Sequence, residues 1–295
     1  MLTQRLRLAR TATLRAVSVR GALRLLNATV PSAGLLVARD IPYGEGSRHG
    51  LDAYYRAEPG QDRALVVFFY GGSWKSGSKD DYRFVATALA RRGMVVVVPD
   101  YRLYPETIFP GFLYDAACSV AWAAANAARY GAAPRPFLIG HSAGAYIALM
   151  LALNPAYLRA AALDRAKLAG AVGIAGPYDF HPSRFPDIAP IFAGVEEALT
   201  QPMTYADGAN PPLLLLAGGA DRTVLPRNTL NLAARVAARG GPVSTRVYPK
   251  LGHVGILLAF APLFRRNAPV VADIARFIPA HHPYRYCQGR LPRRA

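Results

Sequence analysis

The sequence predicts an α/β fold: a mainly parallel central sheet with helices on both faces and a small lid. Three observations carry this prediction. From about residue 48, short apolar runs rich in β-branched residues alternate with longer stretches of helical period, the pattern of successive βαβ units. Val95-Val96-Val97-Val98 places four β-branched residues in a row, which suits a central strand covered on both faces. The chain has 295 residues, 52% of them hydrophobic and 18% charged, enough for one large domain with a well-buried core.

The elements follow in order. Strands are expected over residues 51–56, 64–70, 94–99, 136–140, 169–175, 213–218 and 244–248, and helices over 80–92, 111–130, 143–153, 226–239 and 268–277. Gly93 and Gly131 stand where helix stops belong. Residues 181–210 break the rhythm with prolines and little periodicity, too long for a plain connection, and are read as the lid. The expected organisation is a basic appendage (1–35), the α/β domain (36–280) and a basic tail (281–295).

The formal charge of +17 is concentrated at the ends. Residues 1–39 hold seven Arg and no acid, residues 274–295 five Arg and no acid, which leaves +5 on the middle of the chain. Basic residues are not interleaved with aromatics on one element and no nucleic-acid module is recognisable, so nucleic-acid binding is not expected. In residues 2–26 Arg and Leu intermingle around a helical wheel, and no stretch reaches the length of a membrane span. The appendage is therefore read as packing over the site, as a peripheral contact with anionic membrane surfaces, or as a degenerate targeting segment, and the expected location is cytoplasmic. The two cysteines, Cys118 and Cys287, make no disulfide framework and have no metal-ligand spacing; Cys118 is expected as a small core residue. No metal and no cofactor are expected.

The chemistry concentrates at strand ends. Pro136-Phe-Leu-Ile-Gly140-His-Ser142-Ala-Gly144 runs from a strand through a glycine-flanked turn into a helix. A nucleophilic serine at the tip of a sharp turn needs residues without bulk two before and two after it, so that strand and helix can approach. A chance Gly-x-Ser-x-Gly would lack the strand before and the helix after, so Ser142 is the candidate nucleophile. Its base is expected to be His253, in a glycine-marked loop after the last strand, with His181 as rival; His49, His281 and His282 lie elsewhere, and the side chain of His141 should point away from the Ser142 hydroxyl. The orienting acid is expected to be Asp221, closing Leu213-Leu-Leu-Leu-Ala-Gly-Gly-Ala-Asp221, with Asp179 as rival. Tyr70-Gly71-Gly72-Ser73-Trp74, at another strand end, has the small residues that turn backbone N–H groups toward an oxyanion, with the N–H of Ala143 completing the set.

These ordered pieces resemble the α/β-hydrolase superfamily, within it the carboxylesterase group that includes hormone-sensitive-lipase-like, feruloyl-esterase-like and kynurenine-formamidase-like proteins. The resemblance spans about residues 64–255: Tyr70-Gly-Gly-Ser-Trp74, Asp100-Tyr-Arg-Leu-Tyr-Pro-Glu106, Phe109-Pro110, Asp115, Trp122, Gly140-His-Ser-Ala-Gly144, Asp221 and Gly252-His253. It implies oxyanion donors at Gly72, Ser73 and Ala143, a scaffold role for 100–106 and Asp115, and substrate contacts near Tyr70 and Trp74. Tyr70 stands where the usual His-Gly-Gly-Gly has His, and Ser73 replaces the third Gly. The implied activity is hydrolysis of a small carboxylic ester through an acyl-enzyme. A formamide hydrolase is the nearest alternative, and a non-catalytic membrane-associated module the alternative from another class.

Overall fold

The structure, a computed structural model, describes residues 33–58 and 60–281, preceded by Gly21, Leu23, Leu26, Asn27, Val30 and Pro31. Most of the appendage, the tail beyond His281 and Cys287 lie outside the described residues, as does the membrane contact expected of residues 1–35.

Eight strands form one sheet: β1 (Leu35–Pro42), β2 (Gly50–Arg56), β3 (Leu65–Phe69), β4 (Val95–Pro99), β5 (Phe137–His141), β6 (Gly170–Ile174), β7 (Leu213–Gly218) and β8 (Val243–Tyr248). Their spatial order is β1-β2-β4-β3-β5-β6-β7-β8. β1 and β2 run antiparallel, and every pairing from β4 to β8 is parallel. The six parallel strands β3–β8 therefore deliver the loops that follow them to one edge of the sheet, where ligands bind in open α/β sheets. β3 to β7 are buried at every position, as strands covered on both faces must be, whereas β8 alternates in exposure along much of its length as an edge strand does.

Helices cover both faces. Residues 83–90 (α1) pack with the C-terminal helix Val270–His281 on one face, and Gly111–Ala125 (α2), Ala143–Leu153 (α3) and Pro155–Ala160 (α4) group on the other. α3 is buried at all eleven positions, which its run of Ala, Ile, Leu and Met permits. Arg227–Ala237 (α5) is amphipathic instead, burying Asn228, Thr229, Leu232 and Val236 along one stripe. His253–Leu258 (α6) and the C-terminal helix (α7) complete the set.

All seven expected strands are present. β1 was not expected: it is an edge strand whose short apolar run Leu35–Ala38 is cut off by Arg39 and Asp40, with an irregular register between Ala38 and Ile41 and no clean alternation. The helix expected over 80–92 begins as a 3-10 turn (Lys79–Tyr82), and the one over 111–130 ends at Ala125 before a second 3-10 turn (Ala127–Tyr130). Cys118 is corrected: it is exposed on α2, not a core residue, although partial burial and the nearby Asp115 raise its thiol pKa. Among the described residues no helix is long and apolar enough to cross a membrane.

Candidate active site

Ser142 occupies the turn between β5 and α3 with φ 56° and ψ −122°, a left-handed conformation that a non-glycine residue holds only when its surroundings impose it. Its N–H donates to the Ile174 carbonyl at 2.9 Å, anchoring the turn to the neighbouring strand. The turn can be this sharp because a Cβ on Gly140 would stand 2.1 Å from the Gly144 carbonyl oxygen, and one on Gly144 would stand 2.0 Å from that of Phe69. These contacts are the close approach of strand and helix for which the two glycines leave room.

His253, the first residue of α6, brings Nε2 within 2.9 Å of Ser142 Oγ, while its Nδ1 lies 2.8 Å from Asp221 Oδ2. Asp221 is 3% exposed, and its other oxygen accepts from the backbone N–H groups of Thr223 and Val224 at 2.8 and 2.9 Å. Burial alone would raise this carboxyl's pKa; the hydrogen bond to His253 and the two amides outweigh it and hold it below the ordinary carboxylate value. Asp221 is thus an ionised acceptor that fixes Nδ1–H, leaving Nε2 free to take a proton from Ser142. The rivals stand apart from this chain of bonds. Asp179 accepts from Asn231 at 2.6 Å, and the His181 ring pairs with Glu197.

Opposite Ser142 the segment after β3 makes a tight turn in which Lys75 N–H and Ser76 N–H donate to the Gly72 carbonyl at 3.0 and 3.1 Å. Gly72, Ser73 and Trp74 all have positive φ, at 131°, 53° and 55°. Among the described residues, the N–H groups of Gly72, Ser73 and Ala143 have no protein acceptor. They are the donors expected for an oxyanion, and Ala143 N–H also opens α3, where the helix dipole favours negative charge.

Two expected contacts are corrected. Tyr70 is fully buried beneath the turn, stacked on Tyr101 at 4.7 Å between ring centroids, with its hydroxyl donating to Asp100 Oδ1 at 2.7 Å; it is scaffold rather than a substrate wall. Trp74 is 3% exposed and packs against Phe112, Tyr146, Phe180 and Phe192, so it closes the floor beside the site. The scaffold expected at Asp115 takes the form of a buried carboxylate gripped by Arg102 through Nε at 2.9 Å and Nη2 at 2.7 Å.

Residues 181–210 form a cap of four short 3-10 turns seated by specific bonds: Phe109 N–H to the Ile191 carbonyl at 2.8 Å and Tyr146 Oη–H to that of Thr200 at 2.6 Å. Between the cap's residues 185–188 and the turn's residues 72–76 lies a cleft of about 450 Å³. One neighbour went unread in the sequence. His141 lies against His253 at 4.9 Å between ring centroids, with Nε2 3.1 Å from the His253 carbonyl. Burial first, and the charge on His253 second, lower its pKa to about 3, so it is neutral and donates from Nε2. Among the described residues, no group of three or more His, Cys, Asp or Glu could hold a metal ion.

Known proteins resemble this chain in sequence and in fold. Residues 51–185 match the BD-FAE family model. A probable isoprenylcysteine alpha-carbonyl methylesterase of Oryza sativa subsp. japonica is 34% identical over 149 residues, 48% of this chain and 35% of that protein. The kynurenine formamidase of Danio rerio is 33% identical over 143 residues, 48% of this chain and 47% of that one. The chain thus spans about a third to a half of the length of these relatives. Among solved structures, inhibited esterase B of Lactobacillus rhamnosis superposes with a TM-score of 0.77 over 92% of this chain and 96% of that one, at 20% identity. The eight-stranded, mostly parallel sheet and this superposition show that the chain has an α/β-hydrolase fold.

Proposed function

We propose that the chain is a serine hydrolase that cleaves small carboxylic esters through an acyl-enzyme. The observation that carries this reading is the unbroken relay Asp221–His253–Ser142 opposite three unpaired backbone amides. In the forward step His253 Nε2 takes the Ser142 hydroxyl proton as Oγ attacks the ester carbonyl carbon. The oxyanion that forms is held by the N–H groups of Gly72, Ser73 and Ala143, and Asp221 stabilises the imidazolium. His253 then gives the proton to the departing alkoxide, leaving an acyl group on Ser142. Water, deprotonated by the same imidazole, releases the acid. Neutral His141 adds no positive charge beside the imidazolium as it forms.

The test is turnover of p-nitrophenyl esters from acetate to octanoate by the wild type and by Ser142→Ala, with fluorophosphonate labelling alongside. Removing the nucleophile is expected to lower kcat by at least about 1,000-fold and to abolish labelling. A folded wild-type protein that neither turns over an ester nor labels would leave only a binding role. The similarity to a kynurenine formamidase supports a second reading, cleavage of an aryl formamide by the same residues. A kcat/KM for N-formylkynurenine above that for every ester in the panel would establish it.

A further inference from the structure

The turn carrying the Gly72 and Ser73 amides is strained, and something outside it has to hold it. Three consecutive residues with positive φ, two of them not glycine, cost of the order of 1–2 kcal/mol each at the non-glycine positions. The turn's internal bonds to the Gly72 carbonyl close the loop on itself and do not fix it against the sheet. From outside, the Tyr104 N–H holds the Trp74 carbonyl at 2.8 Å in the turn's middle, while the base of the turn is tied by Arg48, in the connection between β1 and β2 and upstream of the residues the family model matches.

Arg48 Nη2 donates to Tyr70 Oη at 2.8 Å and to the Gly77 carbonyl at 2.9 Å, so one nitrogen ties the two ends of the 70–77 segment together. Its Nε donates to the Tyr101 carbonyl at 2.8 Å, which sets the plane of the guanidinium. Tyr70 Oη, having accepted from Arg48, donates its own hydrogen bond to Asp100 Oδ1 at 2.7 Å, and the same carboxylate oxygen accepts Lys79 N–H at 2.8 Å. Arg48 Nη2 itself lies 3.5 Å from that carboxylate oxygen, so the pair is also ionic. Tyr101 closes the ring by donating its hydroxyl to the Tyr70 carbonyl at 2.8 Å. Gly77 adopts a φ of 110°, and a Cβ there would meet Tyr70 Cδ2 at 2.8 Å, so this end of the turn is pressed onto the tyrosine that Arg48 holds.

We infer that Arg48 is a positioning residue for the oxyanion donors: its guanidinium clamps the base of the 70–77 turn so that the Gly72 and Ser73 amides face Ser142. The inference rests on the serine-hydrolase reading. Arg48 acts through the turn and touches none of the Ser142, His253 or Asp221 side chains, so its loss weakens transition-state binding and leaves substrate binding unchanged. Lysine is a poor substitute, since a single ammonium cannot span Tyr101 on one side and the Tyr70–Gly77 pair on the other.

The experiment compares wild type, Arg48→Ala and Arg48→Lys on one p-nitrophenyl ester, with every rate divided by the concentration of active sites titrated to completion with a fluorophosphonate. Arg48→Ala is expected to lose about 10- to 100-fold in kcat, below the roughly 100- to 1,000-fold of deleting an oxyanion donor outright, with KM within about twofold of wild type. Arg48→Lys should recover only part of the loss, and millimolar ethylguanidinium should restore Arg48→Ala. The inhibition constant of a trifluoromethyl ketone, which forms a tetrahedral adduct, should rise by the same factor by which kcat/KM falls. If both variants keep wild-type kcat per titrated site, Arg48 is structural filling and the inference is overturned; if Arg48→Ala does not fold, Arg48→Lys alone decides on the same criterion. Failure of the underlying reading looks different: the wild type itself would then show no turnover that depends on Ser142.

Discussion

Gly144 and Gly252 both flank the candidate site, yet their backbones tolerate very different things. A methyl group on Gly144 would press on main-chain atoms of Phe69 and Tyr70 at 2.0 and 2.5 Å, and backbone at the end of a central strand cannot retreat. A methyl group on Gly252 meets nothing nearer than the Ala220 carbonyl at 3.7 Å, and φ at that residue is an unstrained −93°. Gly144→Ala is therefore expected to destabilise the fold by at least about 1–3 kcal/mol and to displace Ser142, whereas Gly252→Ala should stay within about 0.5 kcal/mol of wild type in urea unfolding. Equal stabilities would show that the β5–α3 approach is looser than its backbone contacts imply. The same scale shows where sequence reasoning reaches and where it stops. Ser142, Asp221 and His253 could be singled out because each follows a strand in an order with chemical meaning, and the structure brings their side chains into hydrogen-bond contact. Arg48 carried no such signal: its acceptors are a hydroxyl and two carbonyls 22 to 53 residues away, and a carbonyl leaves no mark on residue identity. His141 was hidden for the same reason, since its hydrogen bond goes to the His253 main chain.

At the scale of elements, the cap is held by its aromatic underside. Phe192 is 4% exposed and touches Trp74, Phe109, Phe112, Tyr146 and Phe180, while Phe185, seven residues earlier, is 49% exposed at the cleft. Phe192→Ala should cost about 3–5 kcal/mol, the usual penalty for emptying a buried phenyl site, and should release the cap over Trp74. Phe185→Ala should leave stability within about 0.5 kcal/mol and change only the ranking of esters by chain length. Thermal unfolding of the two variants, with the ester panel beside it, checks both outcomes; a stable Phe192→Ala protein would mean that the polar bonds from Phe109 and Tyr146 hold the cap unaided. The strands of the parallel sheet were legible because burial on both faces forces continuous apolar runs. β1 was not, because a half-exposed edge strand interrupted by Arg39 and Asp40 has no periodic signature. The 3-10 turns of the cap likewise obey local turn preferences and side-chain bonds that no 3.6- or 2-residue period reveals.

For the molecule as a whole, acid should act through a histidine buried in neutral form. His141 is 4% exposed, and its pKa is lowered to about 3 from an ordinary 6.5. Between these values the unfolded chain binds a proton at this residue that the native protein refuses. Stability from this residue is therefore fully present above about pH 6.5 and falls as the pH drops toward 3, by about 1.4 kcal/mol per unit. Asp221, held below the ordinary carboxylate value of 3.8, has the same sign but acts only once acidification reaches that range. Asp100 has the opposite sign, because burial pushes its carboxyl up against the pull of Tyr70, the Lys79 amide and Arg48. Between pH 7 and pH 5, then, His141 should cost the wild type about 2 kcal/mol of unfolding free energy. His141→Gln, which keeps a donor for the His253 carbonyl but cannot titrate, should lose about that much less over the same interval. Urea unfolding of both proteins at the two pH values measures the difference. Parallel losses would mean that His141 takes up its proton in the folded state, and a positive charge would then stand beside His253, opposing the imidazolium that the proposed mechanism requires.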